Sequence, residues 1–173
     1  MKRVTSLLLL CLMMISLGAV LFNRRCFAFV RKSDIEWRTL LANISPDPSL
    51  PFPPILHQVY LSHRSLNWIS EVDEETKQWI GSWTRMNPSL NHIVWNACNF
   101  ESLLLTEFPS RFMYAYERLR SLNIVLRGDF ARYTLLYHFG GIYSDVDTIC
   151  HRPVHEFSLG HKDVDIIVAV EVR

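Results

Sequence analysis

Two consecutive glycines, Gly140-Gly141, separate a helical stretch from an extended one and constrain the fold of this chain more than any other feature. Glycine enters the left-handed region without a Cβ penalty, so the pair can stop a helix expected over residues 129–139 and let Ile142-Tyr143 resume an extended path. Ahead of that helix, Ile124-Val125-Leu126 reads as a short strand. The same alternation recurs upstream. Residues 55–61 are rich in strand formers and follow Pro51, Pro53 and Pro54, which marks the first core strand. Helical composition over residues 72–83 puts Trp79, Ile80 and Trp83 on one face before Asn87-Pro88 ends the element. A second strand is expected over residues 92–95 and a helix over 101–107, stopped at Pro109. A further helix over 111–120 sets Phe112, Ala115, Tyr116 and Leu119 on a common side. A last strand over residues 164–170 has the continuous apolar character of a buried parallel strand. Strands alternating with helices predict a three-layer α/β fold around a mostly parallel sheet.

The rest of the chain is organised in front of that domain. Residues 4–22 carry no charge and, as a helix, nearly span the hydrocarbon core of a bilayer. Residues 1–25 are therefore read as an N-terminal membrane anchor or signal segment, with Ser16 and Gly18 offering a cleavage point in the second case. Lys2-Arg3 before the run and Arg24-Arg25 after it leave the orientation open on charge alone. Residues 26–51 read as a stem and residues 52–173 as the folded domain. With 18 basic and 17 acidic residues the chain has no field that would gather nucleic acid. Cys26, Cys98 and Cys150 show no paired spacing of a zinc site and read as ordinary buried or free thiols.

The chemistry concentrates in Asp145-Val146-Asp147. If the segment is extended, side chains two apart share a face, and both carboxylates can serve one metal ion. A divalent cation between such carboxylates and a diphosphate neutralises the charge that would otherwise repel them. Upstream, Arg127-Gly128-Asp129-Phe130-Ala131-Arg132-Tyr133 opens the preceding helix. Asp129 is either the N-cap of that helix or an acceptor for sugar or ribose hydroxyls. Arg132, one turn on, can pair with Asp129 or present its rigid donors to a hydroxyl or phosphate. Tyr60 and Trp95 are core aromatics unless they line a cleft, and His57 and His138 are read as structural histidines.

Taken together, Arg127 to Tyr133, Leu135-Leu136-Tyr137 and Gly140-Gly141-Ile142-Tyr143-Ser144-Asp145-Val146-Asp147 resemble the DXD-containing sugar-binding region of glycosyltransferase family 32. That family includes Golgi alpha-1,6-mannosyltransferases and inositol-phosphorylceramide mannosyltransferases. Pro54-Ile55-Leu56-His57-Gln58-Val59-Tyr60, Asn87-Pro88 with Trp95, and Cys150 with Pro153 also match its layout. The resemblance implies a GT-A-like nucleotide-sugar-binding fold and a metal-dependent retaining glycosyltransferase. The transferred hexose is expected to be mannose from GDP-mannose, with a UDP-sugar as the alternative, and the acceptor a glycan or glycolipid. Mn²⁺ is the implied ion, with Mg²⁺ second. Asp147 resembles the direct metal ligand, Asp145 the residue shared between metal and ribose, Asp129 and Arg132 the pair that orients the donor sugar, and Tyr60 a base-stacking position. The implied location is the Golgi or endoplasmic reticulum membrane, single-pass with a luminal domain, or secretion if the leader is cleaved.

The family's catalytic domain continues well beyond Arg173, so the resemblance implies a donor-binding half that is incomplete on its C-terminal side. A second reading follows from that: a noncatalytic luminal nucleotide-sugar- or metal-binding protein, acting alone or as a subunit beside a protein partner.

Overall fold

The computed structural model describes residues 37–39, 41, 42, 44, 45, 50–61, 72–120 and 122–158. Within them the order is β1 (Ile55–Tyr60), α1 (Glu74–Met86), β2 (Asn91–Asn96), α2 (Ala97–Glu107), α3 (Ser110–Arg120), α4 (Ile124–Phe139), β3 (Ile142–Tyr143) and α5 (Val154–Ser158). The three strands form one parallel sheet in the order β2-β1-β3. β1 is its centre, with Ile55 opposite Asn91, Tyr60 opposite Asn96 and Leu56 opposite Ile142.

Alternation along β1 assigns its two faces. Ile55 and Val59 join Ile93 and Trp95 in a core closed by Phe100, Leu103 and Leu104 of α2 and by Ala131 and Leu135 of α4. Leu56 faces the other way, onto Leu90 and Val154 with Trp83 of α1 and Ile142 packed against them. The result is a three-layer α/β arrangement, as the element order predicts. Phe100, Leu103, Leu104 and Leu135 are fully buried, each contributing about 1.5–3 kcal/mol relative to exposure.

Local signals set the element ends. Asp73 caps α1, its carboxylate accepting from the Thr76 N–H at 2.8 Å. Asn96 ends β2 and caps α2 at once, accepting from the Asn99 N–H, so strand passes into helix with no loop between them. This is why α2 begins four residues before the expected start at Glu101. Gly140 closes α4 with φ 65°, its N–H donating to the Leu136 carbonyl at 2.9 Å, and Gly141 follows at φ 82°. A Cβ on Gly141 would lie 2.5 Å from the Ile55 carbonyl oxygen, so the turn abuts the start of β1.

Two expectations are corrected. Ile124-Val125-Leu126 is not a strand but the first turn of α4, because Asn123 caps it by accepting from the Val125 N–H at 2.9 Å. Its apolar side chains, 50%, 61% and 44% exposed, have no strand beside them to reward an extended conformation. Asp129 is consequently inside the helix and not its N-cap. Residues 1–36, which include the apolar run 4–22 and Cys26, lie outside the described residues, as does the strand expected over 164–170. Among the described residues no helix is long and apolar enough to cross a membrane. Cys98 and Cys150 are buried, and neither forms a disulfide among the described residues.

Candidate functional site

Parallel strands direct their carboxyl ends to one edge of a sheet, where α/β proteins place ligands. Here that edge carries Tyr60, half-buried at the end of β1, and the segment leaving β3 toward Asp145 and Asp147. Helix α4 runs alongside and brings Asp129 and Arg132 to the same place. The Arg132 guanidinium is the hub. Its Nη1 pairs with Asp129 Oδ1 at 3.3 Å, and its Nη2 donates to both Asp145 carboxylate oxygens, at 2.9 and 3.2 Å. The Tyr143 hydroxyl donates to Asp145 Oδ1 at 2.7 Å, and Arg132 also lies over the Tyr143 ring, 4.6 Å from its centroid. Burial, helped by the Asp145 carboxylate it donates to, pushes the Tyr143 phenol above its ordinary range, so the group remains a donor.

Asp145 and Asp147 do not sit on an extended strand. β3 ends at Tyr143, and the Thr148 N–H folds back to the Asp145 carbonyl at 3.3 Å, making a turn of residues 145–148. The two aspartates therefore stand on a turn and not on the alternating face of a strand. Ser144 and Thr148 shape it: the Thr148 hydroxyl donates to the Asp145 carbonyl at 2.6 Å and accepts from the Ser144 hydroxyl, which lies 2.5 Å from it and within 3.2 Å of the same carbonyl. The turn is also tied to the frame. The Ser144 N–H donates to the His57 carbonyl at 3.0 Å, the Gln58 side chain donates to the Asp145 carbonyl at 3.1 Å, and the Trp83 indole donates to the Thr148 carbonyl at 3.0 Å.

His57 is a structural histidine, as its sequence context suggests. It is fully buried, accepts at Nδ1 from the Trp95 indole at 3.0 Å and donates from Nε2 to the Gly140 carbonyl at 3.1 Å. Burial lowers its pKa to about 4, outweighing the Gly140 bond, with nearby His92 adding to the depression. Trp95 is a core aromatic with no exposed surface. Beneath α4, Arg127 is buried against Tyr116, stacked 4.4 Å from its ring centroid and donating to its hydroxyl, with Glu101 3.7 Å away and Arg120 also on Glu101 at 3.1 Å. Tyr143, Gln58 and the Glu101–Arg127 pair went unsingled in the sequence reading. Tyr143, two residues before Asp145, carried a spacing signal, whereas Glu101 and Arg127 meet only through tertiary packing.

The donor set suits a hard divalent ion. Asp145 is half exposed and Asp147 exposed, and among the described residues Asp147 has no hydrogen-bond or ion-pair partner. No group of three His, Cys, Asp or Glu side chains that could hold a metal occurs among the described residues. Carboxylate oxygens suit a hard divalent cation, whose remaining positions water can fill. A shallow concavity lined by Leu50, Asn87, Leu90 and Val154 lies instead at the amino end of the sheet.

Residues 73–165 match the family described as the glycosyltransferase sugar-binding region containing a DXD motif, and the chain belongs to that family. Asp129, Arg132, Asp145 and Asp147 all fall within the matched span. The glycosyltransferase-like protein HOC1 of Saccharomyces cerevisiae is 31% identical over 129 residues, 71% of this chain and 32% of that protein. Inositol phosphoceramide mannosyltransferase 1 of Schizosaccharomyces pombe is 28% identical over 151 residues, 83% of this chain and 44% of its own length. The initiation-specific alpha-1,6-mannosyltransferase of Candida albicans is 29% identical over 119 residues, 64% and 28% of the two chains. The chain thus spans less than half the length of each of these relatives. No solved structure matches it.

Proposed function

We propose that the chain binds a nucleotide-diphosphate sugar, with GDP-mannose favoured over a UDP-sugar, and takes part in transfer of its hexose with retention to a glycan or glycolipid acceptor. The observation that carries this reading is the sharing of Arg132 between Asp129 and Asp145, two residues before an exposed Asp147 that has no partner among the described residues. Asp147 and Asp145 would hold Mn²⁺ or Mg²⁺, which when bound neutralises the diphosphate and makes the nucleotide a better leaving group. Asp129 accepts from sugar hydroxyls, while Arg132 donates to them and fixes the Asp145 carboxylate; Tyr143 adds a second donor to the Oδ1 oxygen of that carboxylate. Tyr60, at the end of β1, offers a ring for the base to stack on.

Retention and a glycan acceptor rest on the resemblance, while the names of two relatives support mannose as the hexose and one of them an inositol phosphoceramide type of acceptor. The same reasoning, with the apolar run 4–22, supports a luminal domain anchored in the Golgi or endoplasmic reticulum membrane. Asn43-Ile44-Ser45 is an N-x-Ser acceptor, so an endoglycosidase-sensitive shift lost in Asn43→Gln would support the luminal side. Calorimetric titration of GDP and UDP with and without Mn²⁺ tests the binding step: metal-dependent binding lost in Asp147→Asn is expected, and its absence from folded wild-type protein defeats the proposal. Binding without sugar transfer would favour the noncatalytic reading.

A further inference from the structure

Three tertiary hydrogen bonds of fixed polarity lead from helix α1 to the acidic turn. The Thr84 hydroxyl lies 2.7 Å from His92 Nδ1, His92 Nε2 lies 2.8 Å from Gln58 Oε1, and Gln58 Nε2 donates to the Asp145 carbonyl at 3.1 Å. Only one assignment of donors satisfies the whole chain. An amide oxygen accepts and an amide nitrogen donates, so once Gln58 gives its N–H to Asp145 its oxygen must receive the His92 Nε2–H. His92 Nδ1 is then an acceptor and takes the Thr84 O–H. Reversing the Gln58 amide would set two oxygens against each other at Asp145, because that carbonyl can only accept. The Asp145 carbonyl therefore fixes which way the Gln58 amide points, and Gln58 in turn fixes the His92 tautomer and is held at its oxygen by the His92 Nε2–H.

Gln58 is fully buried on the central strand, and His92 is half-buried one strand away on β2. The contacts of Ser144 and Thr148 with the same Asp145 carbonyl are local and give the turn its shape. The Gln58 bond is of another kind, since it reaches that carbonyl from β1 and fixes the turn relative to the sheet. We infer that Gln58, its amide oxygen held by His92, is a positioning residue for the acidic turn, setting where the Asp145 and Asp147 carboxylates stand relative to Arg132 and an incoming cation–diphosphate. The inference rests on the donor-binding reading above. It adds the class of residue that makes that site competent: a buried amide acting through the main chain, touching neither sugar nor metal.

The experiment uses the full chain and two ligand-independent controls. Gln58→Glu keeps size and can still accept from His92 but cannot donate to Asp145. Outer partners that orient ligand side chains typically change metal affinity by about 10–100-fold when removed, so Mn²⁺-dependent GDP binding should weaken about tenfold in Gln58→Glu. His92→Phe should weaken it in the same direction, and His92→Gln, which restores an N–H donor, should recover part of the loss. Val59→Ala, a core truncation on the same strand, should lower the melting temperature while leaving Mn²⁺ and GDP affinities within about twofold, since it touches nothing in the turn. Hydrogen exchange of residues 141–149 is read in parallel without ligand and should quicken in Gln58→Glu but not in Val59→Ala. If Gln58→Glu binds Mn²⁺ and GDP like wild type, or loses affinity only in proportion to its melting temperature as Val59→Ala does, the inference is overturned. If wild type shows no metal-dependent binding, the donor-binding reading falls, and unchanged exchange over 141–149 in Gln58→Glu then separately removes the positioning role.

Discussion

Arg132 donates from one nitrogen to both carboxylate oxygens of Asp145, joining α4 to the turn after β3 across the carboxyl edge of the sheet. The side chains are 31% and 49% exposed, so the pair adds at most about 1 kcal/mol to stability, and its main effect is on orientation.

Arg132→Lys is therefore expected to lower nucleotide-sugar turnover roughly 100-fold while the melting temperature barely moves. A lysine ammonium cannot span Asp129 and both oxygens of Asp145 with fixed planar geometry, and small misplacements at a reacting centre cost about that much. Release of the free nucleotide, followed beside thermal melts, checks both halves of the statement.

Gly141→Ala should destabilise the fold by at least about 2 kcal/mol. Its φ of 82° is unfavourable for any side chain, and the new Cβ would meet the Ile55 carbonyl oxygen at 2.5 Å. Urea unfolding of the variant against wild type measures the loss.

Stability should also fall as the solution is acidified from about pH 6.5 toward pH 4. His57 is held neutral in the native protein with a pKa near 4 against 6.5 when unfolded, so between those values the unfolded chain binds the extra proton. The stabilisation is complete above pH 6.5 and is lost progressively toward pH 4, on the order of 3 kcal/mol for His57. His92, lowered to about 4 by burial, acts in the same direction. Urea midpoints at pH 7 and pH 5 should separate for wild type and draw closer in His57→Gln; equal midpoints in wild type would refute the account.

Glu101→Leu removes the carboxylate beside buried Arg127, whose Nε already lacks a partner, and should cost about 3–5 kcal/mol. Adding Arg127→Met should return much of that loss, because the unpaired buried charge goes with it. A double-mutant cycle by chemical denaturation reads the coupling.

The first two strands and the α/β alternation could be read from the sequence because their apolar runs find partners in space: residues 55–60 bury both faces of β1, and Trp79, Ile80 and Trp83 do share one side of α1. Residues 124–126 misled because their β-branched composition favours a strand while the deciding fact, the cap supplied by Asn123, is a single local hydrogen bond. The acidic cluster was legible as a set of residues, since Asp129 and Arg132 are one helical turn apart and Asp145 and Asp147 two residues apart. How they meet was not. The turn conformation depends on Gln58, Trp83 and His57, which approach from distant parts of the chain.

β3 pairs with β1 on the edge opposite β2, so among the described residues the acidic turn follows the last strand of the sheet in chain order. A product cut short before residue 142 would keep Asp129 and Arg132 but lose β3 and both aspartates of the turn, Asp145 and Asp147. On the donor-binding proposal, interrupted synthesis would thus leave a piece without the carboxylates assigned to the cation.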